Sequence, residues 1–196
     1  TVSISFEAWV VATLLFLTSF SKPIHSLGIL VYPLSAIAVI VAFLFPGTQG
    51  KLISMSIAAH AFLSIGAYAL LTIAVAQSVL VSIQERFLHE HNFNTFVDKL
   101  PALQTMEAFL YQTLKMGLLL LTLSLISGYY YIDDFFTQKL TFKTILSVIA
   151  WIGFAGILFG HKVFGWRGKL VTVSTQTAFA ILVLSYYGTK FFLEIA

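Results

Sequence analysis

The sequence predicts an all-α, polytopic transmembrane bundle, and three observations carry that prediction. Charged residues are only 10% of the chain and apolar ones 59%, against roughly a quarter and a half in a soluble domain. Most of the charges are clustered, at Lys22 to His25, Gln84 to Lys99, Asp133 to Lys143 and His161 to Lys169, and punctuate otherwise apolar segments. Between Lys51 and Glu85 about 33 residues pass without an Asp, Glu, Lys or Arg, more than one bilayer crossing needs. Such a composition cannot build a water-soluble surface, and helices satisfy their own backbone polar groups inside lipid.

Taking about 17–25 apolar residues per crossing, six spans are expected in one integral membrane domain, 1–196. The first runs over roughly 4–20 and ends at Ser21-Lys22-Pro23; the second, roughly 26–45, carries Pro33 in its interior, which predicts a kink. Pro46-Gly47 and Gly50 separate it from the third, roughly 52–86. The one long connection, about 87–104, reads as a surface helix followed by a turn at Leu100-Pro101. The remaining spans are expected at roughly 105–130, 142–161 and 168–192. Thr1 stands where an initiator Met would, and no basic leader precedes a cleavage site. This is consistent with a chain that begins inside a longer protein and with further N-terminal spans.

Counting Lys and Arg by loop sets the orientation. Lys22, Arg86, Lys99, Lys162, Arg167 and Lys169 fall on one side, and Lys51, Lys139, Lys143 and Lys190 on the other. The positive-inside rule makes the first side cytoplasmic, with loops 21–25, 87–104 and 161–169 there. Localisation in the bacterial inner (plasma) membrane follows as an expectation. No basic run with interleaved aromatics occurs, so nucleic acid is not an expected partner. The absence of cysteine excludes disulfides, thiolate metal sites, thiol redox chemistry and covalent c-type haem attachment to this chain.

An imidazole in an uncharged membrane run is a functional-site candidate, and His60 lies about eight residues, or about 12 Å, below the expected outer surface. Ser56 and Ser64 stand one turn away on either side, and Tyr68 two turns deeper. Two readings stay open: a hydrogen bond between helices, or a neutral imidazole that ligates a metal through one nitrogen while the other donates. Gln77 and Gln84, seven apart, face one way and are expected to bond between helices. Lys115, two turns beyond Glu107 with Tyr111 between, can snorkel, pair with Glu107 or meet an anion. His161-Lys162 and Gly165-Trp166-Arg167-Gly168-Lys169 form an expected tight inner turn with membrane-anchor character. His89, Glu90 and His91 read as a solvated face. No nucleophile elbow, P-loop, dinucleotide fingerprint or zinc-protease motif is present, so no enzymatic activity is expected.

His60-Ala-Phe-Leu-Ser64-Ile-Gly-Ala67-Tyr68, Gln77, Gln84-Glu85, Leu100-Pro101-Ala-Leu-Gln-Thr-Met-Glu107, Lys143-Thr144 with Trp151, Gly165-Trp-Arg-Gly168 and Tyr186-Tyr-Gly188 occur in order over most of the chain. Together they resemble the cytochrome c assembly membrane proteins, in the HemX/YpjD-like branch related to the haem-handling CcsA and CcmC proteins. The resemblance implies a bundle that binds b-type haem non-covalently and presents or moves it across the inner membrane. It implies that His60 is an axial ligand near the outer face and that His161 serves a haem within the membrane. It also leaves Lys115 and Tyr68 as haem contacts. Where those relatives carry a tryptophan-rich loop before Lys143, this chain has Tyr129-Tyr-Tyr-Ile-Asp-Asp-Phe-Phe136. No second outer histidine follows the last span, so the iron's sixth position would fall to water, an aromatic cover, further N-terminal helices or a partner.

The expected function is therefore a haem-binding accessory protein of cytochrome c or haem biogenesis, in contact with lipid and with a membrane or assembly partner. Two other classes stand beside it. One is a stabilising subunit without haem, whose His and Gln residues only join helices. The other is a permease built on Lys115, Gln77 and Glu107.

Overall fold

Four long helices carry the architecture of the computed structural model, which describes residues 9–13, 40, 55–89, 101–131 and 138–195. They are α1 (Met55–His89), α2 (Leu103–Tyr131), α3 (Gln138–Phe164) and α4 (Lys169–Ile195), matching the third to sixth expected spans. No strand occurs among the described residues, and the protein is a helical membrane bundle. α1, α2 and α3 contain stretches long and apolar enough to cross a bilayer, at Ile57–His89, Leu103–Tyr130 and Lys143–Phe164; α4 contributes a shorter apolar stretch, Lys169–Ser185. Of the first two expected spans only residues 9–13 and Ile40 are described, and these are helical. The rest of both, with Pro33, lies outside the described residues.

Helix ends differ from expectation by a few residues, and the differences have local causes. α1 continues to His89, which places Arg86 and His89 in its last turn, where cations complement the helix dipole. The connection is accordingly shorter than the expected 87–104. α3 runs on through Phe164, so His161 and Lys162 belong to its final turn rather than to the loop. The turn shrinks to residues 165–168. It is closed by Gly165, whose φ of 67° suits a left-handed cap and whose N–H donates to the His161 carbonyl at 3.2 Å.

The helices form a ring in which α1 neighbours α2 and α4, and α3 neighbours the same two. Successive helices are antiparallel, as cross-links at both ends show: His60 meets Ser124 and Ser127, while Gln84 donates to the Pro101 carbonyl at 3.1 Å. Lipid removes most of the hydrophobic drive for helix association, so close packing must supply it. Small residues make that possible. Ala67, Ala74, Ala150 and Ala178 are buried among Leu71, Leu110, Leu114, Phe154 and Leu182. On the other side of α1, Val11 is buried against Ala69, Ile73, Ala76 and Phe109, so the 9–13 segment covers the α1/α2 seam there.

Polar side chains join the ring at several levels. Trp151 Nε1 donates to Thr122 Oγ1 at 2.8 Å, Ser147 and Ser185 hydroxyls meet at 2.8 Å, and Gln176 Nε2 donates to Ser78 Oγ at 3.3 Å. Gln77 Nε2 donates to Thr113 Oγ1 at 3.3 Å, which realises the interhelical role expected of Gln77 and Gln84. Gln77 Oε1, however, is buried without a protein partner among the described residues. Gln77→Leu removes one bond, about 0.6 kcal/mol in a membrane bundle, and one orphaned acceptor, about 1–3 kcal/mol. The expected result is a midpoint of thermal unfolding in detergent that stays level or rises; a clear fall would show that this acceptor has a partner.

Candidate functional site

His60 stands near the start of α1 with its ring half-buried against the far end of α2. Its Nδ1 lies 3.0 Å from the Ser124 carbonyl and 3.0 Å from Ser127 Oγ. A carbonyl can only accept, and Ser127 spends its own proton on the same Ser124 carbonyl at 2.9 Å. Nδ1 therefore carries the hydrogen, shared between two acceptors, and Nε2 carries the lone pair. Ser64 Oγ approaches Nε2 at 3.4 Å, but donates to the His60 carbonyl at 2.8 Å and meets Ser124 Oγ at 2.7 Å. Ser64 thus leaves the Nε2 lone pair available.

The second histidine repeats this arrangement at the opposite end. His161 Nδ1 lies 3.0 Å from the Trp166 carbonyl, so here too Nδ1 holds the hydrogen. The ring stacks on Tyr111, centroids 3.5 Å apart and planes 19° from parallel, and Tyr111 donates its hydroxyl to the same carbonyl at 2.6 Å. Beside it, the buried Glu107 accepts the Gly168 N–H at 3.1 Å and pairs with Arg167 at 3.3 Å. Gly168 holds a φ of 61°, and a Cβ there would sit 2.6 Å from Glu85 Oε1. The Trp166 ring lies on Gly160, where any side chain would collide with it. The turn is thus held to α2 by the Glu107 carboxylate and the Tyr111 hydroxyl, and its two close approaches are Gly168 to Glu85 of α1 and Trp166 to Gly160 of α3.

α2 serves as a ruler between the two sites. His60 contacts it at Ser124 and His161 at Tyr111, thirteen residues or about 20 Å apart along the axis. Metal–imidazole bonds are about 2 Å long, so the two histidines cannot ligate one iron. Tyr68 packs, half-buried, against the core cluster shared by the four helices. Lys115 is exposed on α2, one turn beyond Tyr111, so the structure sets it toward the His161 end and away from His60. Its expected pairing with Glu107 is not seen: Glu107 is held by Arg167 and Gly168, and the two side chains point to different faces of α2. The permease residues separate likewise, with Gln77 in the α1/α2 seam, Glu107 at the inner turn and Lys115 outside. His89 is exposed, while Glu90 and His91 lie outside the described residues.

The donor chemistry at His60 fits haem. A neutral imidazole whose Nδ1–H is fixed by a backbone carbonyl has the tautomer an axial ligand requires. No cluster of three His, Cys, Asp or Glu converges among the described residues, so a bare ion that needs several protein ligands fits less well. Sequence reasoning missed Ser124, Ser127 and the Trp166 carbonyl. The serines left a signal, since they stand three apart in an otherwise apolar run; the carbonyl left none.

A helical membrane bundle with a tautomer-fixed histidine toward each end is the class these observations define. The chain belongs to the cytochrome c assembly protein family, whose model matches residues 1–196. It is 30% identical over 131 residues to the inner membrane protein YpjD of Escherichia coli K12, a match covering 67% of this chain and 49% of that protein. It is 28% identical over 152 residues to a 28.8 kDa protein encoded beside a nifR3-like gene in Azospirillum brasilense, covering 76% and 56%. The chain spans about half the length of the relatives it matches. No solved structure matches it. The multi-pass architecture and this kinship make it an inner-membrane protein.

Proposed function

We propose that this protein binds b-type haem non-covalently through Nε2 of His60 and presents it near the outer face during cytochrome c or haem biogenesis, without itself making or breaking bonds. The observation that carries the reading is the fixed tautomer of His60, in a family that takes its name from cytochrome c assembly. Haem, when bound, supplies an iron with axial positions for nitrogen ligands and a flat apolar ring. The Nδ1–H bond to Ser124 orients the imidazole and raises the basicity of Nε2. Tyr129 and Tyr130 stand exposed within a turn of Ser127, rings edge to face at 5.6 Å, and offer an aromatic cover for a porphyrin. His161, about 20 Å away along α2, serves a separate group at the inner end.

The absorption spectrum of the purified full chain tests this directly. A Soret band, native or after addition of haem, is expected; its absence under both conditions overturns the proposal. Ser127→Ala removes one of the two acceptors on Nδ1–H. Loss of an outer-shell partner costs about 10–100-fold in affinity, and the retained Ser124 carbonyl places this variant near the lower figure. Titration of haem into wild type and Ser127→Ala measures the difference, and equal affinities would remove the orienting role.

A further inference from the structure

Two outward faces of the bundle differ in kind. On α3, between Ile145 and Phe159, the exposed residues are Ile145, Val148, Ile149, Ile152, Gly156 and Phe159, none of them polar or charged, as a lipid-facing surface requires. On α2 the outer half of the exposed face is equally apolar, with Leu119, Leu123 and Ile126. Its inner half presents Gln104, Thr105, Ala108, Gln112 and Lys115, with Met116 beside the lysine. Lys115 lies eight residues, or about 12 Å, beyond Glu107 along the helix, and a lysine stem covers only part of that depth. A cation at such a level is costly against hydrocarbon, and among the described residues Lys115 makes no ion pair.

We infer that the Gln104–Lys115 face of α2 is the docking surface for a transmembrane helix of another membrane protein, and that this helix carries a carboxylate opposite Lys115. Charge complementarity selects that occupant. A second copy docked on the same face would set Lys115 toward its own equivalent, because a twofold interface is self-complementary. Residues 1–196 hold no acid at this depth. The eight Asp and Glu residues are Glu7, Asp133, Asp134 and Glu194 on the outer side by loop charge, Glu90 and Asp98 in the α1–α2 connection, and Glu85 and Glu107 at Gly168. The inference does not rest on haem binding at His60, which is at the other end of α2.

A photo-reactive residue placed at Leu119 of the full chain, in native membranes, tests the face, with the same residue at Ile152 as the lipid-facing control. The expected product joins Leu119 to a helix of another protein that holds an Asp or Glu within one turn of the cross-linked position. Lys115→Glu should lower its yield at least tenfold, Lys115→Gln should lower it less, and exchange of the partner's acid for Lys should restore it with Lys115→Glu. The thermal midpoint of both variants, measured on purified protein, should match wild type. Cross-linking only to lipid, to a second copy or to the same chain would overturn the inference. So would a yield indifferent to Lys115→Glu, or a variant that changes the haem spectrum instead.

Discussion

His60→Ala is expected to abolish the outer haem site, with a loss of haem affinity of at least about 100-fold, larger than the loss for any outer-shell change. The imidazole Nε2 is the donor atom the geometry exposes there, and the neighbouring Ser64, Ser124 and Ser127 offer hydroxyl and carbonyl oxygens that are already engaged with one another. The fold should survive, because His60 is half-buried near one end of α1 and outside the core cluster. Removing it does leave the Ser124 carbonyl without the imidazole donor, but Ser127 still donates to it. His161→Ala should spare the outer site's spectrum, since its ring lies about 20 Å away. Haem titration with both variants checks the assignment; equal retention in His60→Ala and wild type would sink it.

Gly168→Val is expected to give the largest loss of stability among single changes at the inner end. A branched side chain at a φ of 61° is strained by about 1–3 kcal/mol. Its Cβ would also stand 2.6 Å from Glu85 Oε1, so Glu85 or the turn must move. Moving the turn weakens the Gly168 N–H bond to Glu107 and the contacts of Trp166 with Tyr111 and His161. A fall of the thermal midpoint by about 5–10 °C follows for a chain of this size. Gly156→Ala is the control: nothing lies within 4 Å of its added Cβ, and alanine is the better helix former by about 1 kcal/mol. Its midpoint should hold or rise, and a fall matching that of Gly168→Val would show that any glycine replacement suffices.

The helices were readable because charge marks their ends. Lys51 and Glu85 bracket α1 closely, and Pro101 precedes α2 by two residues. The few-residue errors arose where basic residues beyond the expected ends stay helical, as His89 and Lys162 do, because cations suit a final turn. Inward Gln77 and Gln84 were legible from their seven-residue spacing. What spacing could not supply was the partner across the bundle. Glu107 has Lys115 two turns away along its own helix, yet it binds Arg167 from a turn sixty residues later. Helical periodicity sets which face a residue takes, whereas the ring order of helices decides what lies opposite that face. The same limit hid Ser124 and Ser127 from His60.

Both histidines are oriented by main-chain oxygens, those of Ser124 and Trp166. A peptide carbonyl is present whatever amino acid occupies the position, so no replacement at 124 or 166 deletes the acceptor as long as the helix or turn keeps its path. The ligand-ready tautomer is therefore heritable through the backbone. Homologous chains can drift at the contacting positions and keep the same imidazole chemistry, and alignment columns there will understate how tightly the two rings are constrained.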